Sequence, residues 1–360
     1  MRLFLTLFAL FSIYLFATEK ATTCKGCHPT IYNEFQKSLH KKSSIHEDKI
    51  HKAVWDKHPA KAKGNYKCAK CHTPKNTVHE SMTCVTCHTI TDIKIHSKSN
   101  ENIYEKEPKT FYSAERGMED KKLTYKEKSS WFGMVKKTTG SPYHNIDYTH
   151  EDYYNGKICM GCHSHKKNSH NFDVCKIDMS GAEDKESNCI TCHMPKIAGT
   201  STNIKKTKNH AFHGFAGARN ASNMLSKYVK LSYKKLDKGF EITVHNNTPH
   251  PLMSHPLRVV ELHTILKRDG KAQKLKKYTF IKVIGTEGKA SMPWLATQII
   301  KDTMLKANEK RVLSFEIALQ DGDEIEVVLG YRVVNEKAAQ KLGLDKQYSK
   351  FIPLKSAYFK

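Results

Sequence analysis

Residues 3–16 form a predominantly apolar run that ends before Ala17 and gives way to Thr18-Glu19-Lys20. A single Arg2 before the run and a small residue after it fit an export signal. The run is shorter than the roughly 20 apolar residues of a membrane span. Residues 1–17 are therefore expected to be a cleaved leader. An uncleaved anchor is the alternative, because Leu15 spoils the usual small-x-small pattern. From about residue 20 to 217 the long apolar periods disappear, and Lys, His, Ser, Thr and Asn dominate. Short helices are expected at 30–38, 46–57 and 151–157, with a long excursion over 94–143 that carries Trp131 and Phe132. Near Arg219 the pattern changes to alternating, β-branched segments at 228–236, 240–245, 257–267, 278–284, 311–318 and 324–334. Asp237-Lys238-Gly239, Asp269-Gly270 and Asp321-Gly322 mark turns between them. A short helix is expected at 337–342. The expected fold class is thus α+β with two domains: a mainly helical and loop domain over 18–218, then a small antiparallel β-sandwich-like domain over 219–360.

A segment as polar as 18–218 cannot bury much of a conventional core, and its cysteines suggest what fills the gap. Ten of the 11 cysteines fall in five copies of C-x-x-C-H: Cys24–Cys27–His28, Cys68–Cys71–His72, Cys84–Cys87–His88, Cys159–Cys162–His163 and Cys189–Cys192–His193. On a helical turn, positions i, i+3 and i+4 share a face. Two thiols can then form thioethers to one haem while the next histidine binds its iron. Zinc ribbons and redox dithiols do not require that histidine, and disulfide scaffolds do not repeat this spacing. Five covalently bound c-type haems are expected, which agrees with export, since c-type haem is attached outside the cytoplasm. Cys175 is left over and is expected to be a buried structural thiol.

Lysine gives the chain most of its formal charge of +24, part of which haem propionates would offset. Such a balance ordinarily suggests nucleic acid, which an exported haem protein does not meet. Acidic redox partners, or association with an anionic membrane surface, fit better. Removing the five motif histidines from 21 leaves sixteen, an excess suited to iron ligated by imidazole on both faces.

Several short stretches resemble a known family. Glu34-Phe35-Gln36-Lys37-Ser38-Leu39-His40, Cys84–His88 followed by His96, and Ser141-Pro142-Tyr143-His144 are similar to elements of the multihaem cytochromes c. So are Cys192-His193-Met194-Pro195 followed by His213-Gly214-Phe215-Ala216-Gly217, and Val244-His245-Asn246-Asn247-Thr248-Pro249-His250-Pro251. That family includes the tetrahaem carrier of ammonia oxidisers and, more distantly, pentahaem nitrite reductase and octahaem hydroxylamine oxidoreductase. The resemblance implies distal ligands at His40, His96, His144, His213 and His250. Pro249 departs from the family's glycine, so His255 competes with His250. His58, His79, His165, His170 and His210 are reserves. His245, His250, Met253 and His255 could alternatively form a soft-metal site.

Iron closed at both axial positions exchanges electrons and binds no substrate, and without axial methionine its potential is expected to be low. The expected function is a periplasmic carrier passing electrons between a membrane quinol-linked donor and a periplasmic acceptor. The alternative is an enzyme reducing a small nitrogen or sulfur compound at one five-coordinate haem. No motif has the C-x-x-C-K form of pentahaem nitrite reductases.

Overall fold

The computed structural model describes residues 21–74, 81–106, 109–129, 136–177 and 187–360. The expected leader, His79, Trp131 and Phe132 lie outside the described residues. Among those described, no helix is long and apolar enough to cross a membrane.

The N-terminal part is not mainly helical, which corrects the expected fold class. Its helices are short: Pro29–Lys37, Lys49–Asp56, Asp152–Asn155 and one turn at or beside each C-x-x-C-H motif. Between them, among the described residues, run five small sheets of two or three strands. Ile90–Lys94 pairs with Glu101–Tyr104, and Lys126–Ser129 with Lys136–Thr139. Thr110–Tyr112 and Lys122–Leu123 flank Asn145–Asp147, while His165–Lys167 pairs with Asp173–Lys176 and Lys196–Ala198 with Asn209–Ala211. Part of the expected 94–143 excursion is this paired backbone. The reason is physical: polar connections with no core of their own still have to satisfy their N–H and C=O groups, and short hairpins do so locally. What they enclose is a cavity of about 2310 Å³ lined by all five motifs.

The C-terminal part buries a conventional core. Val229–Leu236, Gly239–Asn246 and Lys310–Phe315 form one antiparallel sheet. Val259–Arg268 and Glu324–Arg332 centre another, extended by Lys271–Lys274, Tyr278–Phe280 and Ile352–Phe359. Phe240, Ile242, Val244 and Phe315 from the first pack with Leu262, Leu266, Val327, Leu329 and Tyr331 from the second. Period-two alternation put these side chains on one face of each strand. The expected strand at 278–284 is two strands, Tyr278–Phe280 and Lys282–Thr286; the latter turns away to pair with Lys289–Ala290 and Gln298–Asp302. Helix Glu336–Leu342 follows the last long strand and is capped by Asn335. Arg219 reaches back to the N-terminal part, donating to both oxygens of Asp48 at 2.9 and 2.5 Å.

Candidate functional site: facing imidazoles in a haem-sized cavity

Each motif is organised by its own sequence. Thr83 and Asn188 cap the turns Cys84–His88 and Cys189–His193 in reciprocal capping boxes with Thr86 and Thr191. The turn sets both thiols and the following imidazole on one side. None of the 11 cysteines is bridged. The motifs crowd in pairs: the Cys24 thiol lies against Cys84, Cys71 against Cys162, and Cys159 against Cys189. Gly161 in the fourth motif lets the Asn102 side chain pack against the turn, since a Cβ there would sit 1.6 Å from Asn102 Oδ1.

Four motif histidines have a second imidazole standing across from them. His28 faces His144 with ring centroids 6.4 Å apart, and His163 faces His40 at 5.9 Å. His88 faces His213 and His193 faces His250, each at 6.2 Å and near-parallel. Metal–imidazole bonds run about 2.0–2.1 Å and a ring centroid lies about 1 Å behind its nitrogen, so two imidazoles on one metal stand about 6 Å apart. His250 takes this position although Pro249 stands where the family has glycine.

The hydrogen bonds fix which nitrogen points inward. A backbone carbonyl can only accept, so an Nδ1 bonded to one must carry the proton and leave the Nε2 lone pair for metal. His28 Nδ1 donates to Ser201 O at 2.7 Å, His72 to Ser43 O at 3.2 Å, His88 to Tyr112 O at 2.7 Å and His193 to Ala216 O at 2.6 Å. On the opposite side His144, His213 and His250 donate to Asn145 O, Ala211 O and Pro251 O. His40 Nδ1 is buried without a partner. Burial pushes His40 down to about 3 and His213 to about 4, helped by neighbouring imidazoles, and also lowers His88, His163 and His250. Each shift favours the neutral imidazole, the form that binds iron.

The second motif differs. His72, which burial pushes down to about 3, has His51 beside it at 4.0 Å, a residue that sequence reasoning missed. His51 Nδ1 also donates to Ser43 O, at 3.0 Å, and its Nε2 meets Tyr66 Oη at 3.2 Å. It sits on the amphipathic helix Lys49–Asp56, and no motif distinguishes it from an ordinary helix-face residue. His96, the expected ligand, is an exposed residue beyond strand Ile90–Lys94, with Nδ1 accepting from the Lys98 amide.

The reserves carry the opposite tautomer or another duty. His58 Nδ1 accepts from Ala60 N, and His255 Nδ1 from Leu257 N. His210 gives Nε2 to Glu34. His165 lies in the strand that pairs with Asp173–Lys176, and His170 is exposed at the turn between them. The soft-metal alternative also falls: His250 belongs to the His193 pair, and no cluster of three or more His, Cys, Asp or Glu able to hold a metal ion occurs among the described residues. Cys175 sits in strand Asp173–Lys176, its thiol pushed up by burial.

One bend serves three of the sites. His213 faces His88, the Phe215 ring packs edge-on against His40 at 4.3 Å, and Ala216 O holds His193. Phe215 adopts φ 54° to make this possible, a conformation that costs a non-glycine residue energy. Glu34 steadies the bend by accepting from the His213 amide at 2.9 Å.

Five C-x-x-C-H turns, the facing imidazoles and the cavity they line suit covalently held haem. The fold agrees. The chain superimposes on the penta-heme cytochrome c552 from Thermochromatium tepidum with a TM-score of 0.71, over 94% of this chain and 98% of that one, at 18% identity. That is a likeness of fold. No family model matches the sequence, and no curated protein does.

Proposed function

We propose that this protein is an exported, periplasmic electron carrier. In this reading five haems, most with histidine on both faces, relay electrons from a membrane quinol-linked donor to a periplasmic acceptor. Bound haem iron supplies one-electron exchange at a potential set by its ligands and surroundings. The chain's own residues orient the imidazoles through their Nδ1 bonds and line the cavity. The observation that carries the reading is the set of four imidazole pairs at 5.9–6.4 Å, because iron between them would have no open position.

The order of contacts supports a relay. The first site touches the third through Cys24 and Cys84, and Phe215 lies between His213 of the third and His40 of the fourth. The fourth also meets the second through Cys162 and Cys71, and the fifth through Cys159 and Cys189. This makes the fourth site a junction and the first a terminus.

The second reading is a reductase acting on a small nitrogen or sulfur compound at one five-coordinate iron. The observation favouring it is the second motif, where His51 stands 4.0 Å from His72 rather than about 6 Å. Low-temperature electron paramagnetic resonance of the oxidised protein separates the two. Low-spin signals alone support the carrier; one high-spin iron supports the reductase. The mass of the mature protein should exceed its polypeptide by five haems, and a smaller excess would show a motif to be idle.

A further inference from the structure

We propose that the surface over the first motif is the docking site for an acidic redox protein; this rests on the electron-carrier reading and locates where its electrons cross. The loop at 199–208 folds back on the first motif: Ser201 O takes the His28 proton, and the Asn203 amide donates to Cys27 O at 2.8 Å. The next residue, Ile204, is 60% exposed. Tyr143, immediately before His144 on the opposite side of the same site, is 78% exposed. Both side chains also border the cavity. Two large, exposed apolar groups flanking one ligand pair supply the contact area that a transient interface needs at its centre.

The rim has a single sign. Lys25 lies inside the motif, and Lys205, Lys206 and Lys208 lie on the loop; all four are exposed. No Asp or Glu occurs in residues 21–33, 136–145 or 199–209, the three segments that build this surface. Lysines around an apolar centre attract and orient a partner carrying carboxylates, chiefly by raising the rate of encounter. The first site is one of three ends of the contact order, with the second and the fifth, so an electron delivered there has one onward route, to the third.

The test uses the mature haem-loaded protein and, as probe, a reduced acidic flavodoxin, with reduction followed by stopped-flow absorbance. Combining Lys205→Glu, Lys206→Glu and Lys208→Glu should slow the second-order rate at least about tenfold at low ionic strength. The difference should shrink as salt screens the surface. A control with Lys234→Glu, Lys235→Glu and Lys238→Glu, at the exposed tip of the hairpin of Val229–Leu236 and Gly239–Asn246, makes the same charge change and should keep a near-parental rate. Haem content and reduction by dithionite should be unchanged in both. Equal slowing in both variants would reduce the effect to net charge and overturn the proposal, as would an unaltered rate in the loop variant. Loop-dependent binding to anionic phosphatidylglycerol vesicles with unchanged flavodoxin kinetics would assign the patch to a membrane instead. A protein without haem would fail earlier, and for the carrier reading itself.

Discussion

An Nδ1–H donated to a carbonyl orients the ring and leaves a lone pair at Nε2. This bond marks the candidate ligands His144, His213 and His250, which burial alone does not separate from other histidines, though it does not mark His40. His255 shows the difference: burial lowers it to about 4, as it does His213, yet its Nδ1 accepts from an amide. We expect His213→Ala or His250→Ala each to convert one low-spin haem to high-spin, visible in the resonance spectrum, while His96→Ala leaves the spectrum unchanged. Gly161→Ala should destabilise the fourth site by about 1–3 kcal/mol through overpacking. The clash is with one side chain, Asn102, so Asn102→Ala should recover most of the melting temperature. At this scale the motif histidines were legible because thioether spacing is a local pattern. Four of the five suggested partners stand across from a motif histidine. His51 was not legible, because its position depends on how helix Lys49–Asp56 meets Ser43 and Tyr66, a tertiary fact with no local mark.

Helix Lys49–Asp56 shows how one short element is held without a large apolar face. Asp48 accepts from the Ile50 and His51 amides as its N-cap and takes both guanidinium donors of Arg219. Burial alone would raise that carboxyl, but Arg219 and the two amides hold it below its usual range. Asp48→Asn keeps the cap and loses the ion pair, whereas Asp48→Ala loses both. A cap is worth about 0.5–2 kcal/mol and breaking a buried pair costs about 3–5 kcal/mol. Thermal unfolding should therefore place Asp48→Ala below Asp48→Asn, and both below the parent. The β strands were readable from their alternation, because each covers a core made by its own neighbours. The small hairpins of the N-terminal part were not. Strands such as Lys126–Ser129 are wholly exposed, so no apolar period announces them.

The whole molecule combines an ordinary β core with a segment whose interior suits cofactors, and the two parts should respond differently to acid. Arg268 donates to both oxygens of Asp323 at 2.8 and 2.6 Å, and the Gln320 amide adds a third bond; together they lower the carboxyl to about 2. An unfolded aspartate titrates near 3.9. The stabilisation is therefore complete above about pH 4 and is lost as the pH falls toward 2. Stability measured by denaturant titration should fall across that window in the parent and less steeply in Asp323→Asn.

The bend at 213–217 also bears on how the protein is assembled. It follows all five attachment motifs along the chain, yet it supplies His213 to the third site, the Phe215 ring to the fourth and the Ala216 carbonyl to the fifth. A nascent polypeptide that stops short of it has every thiol in place but lacks the imidazole facing His88 and the groups that pack on His40 and hold His193. Porphyrins attached before that bend emerges would therefore wait for their surroundings on a segment synthesised after every attachment point, and the fifth would wait longer still, for His250.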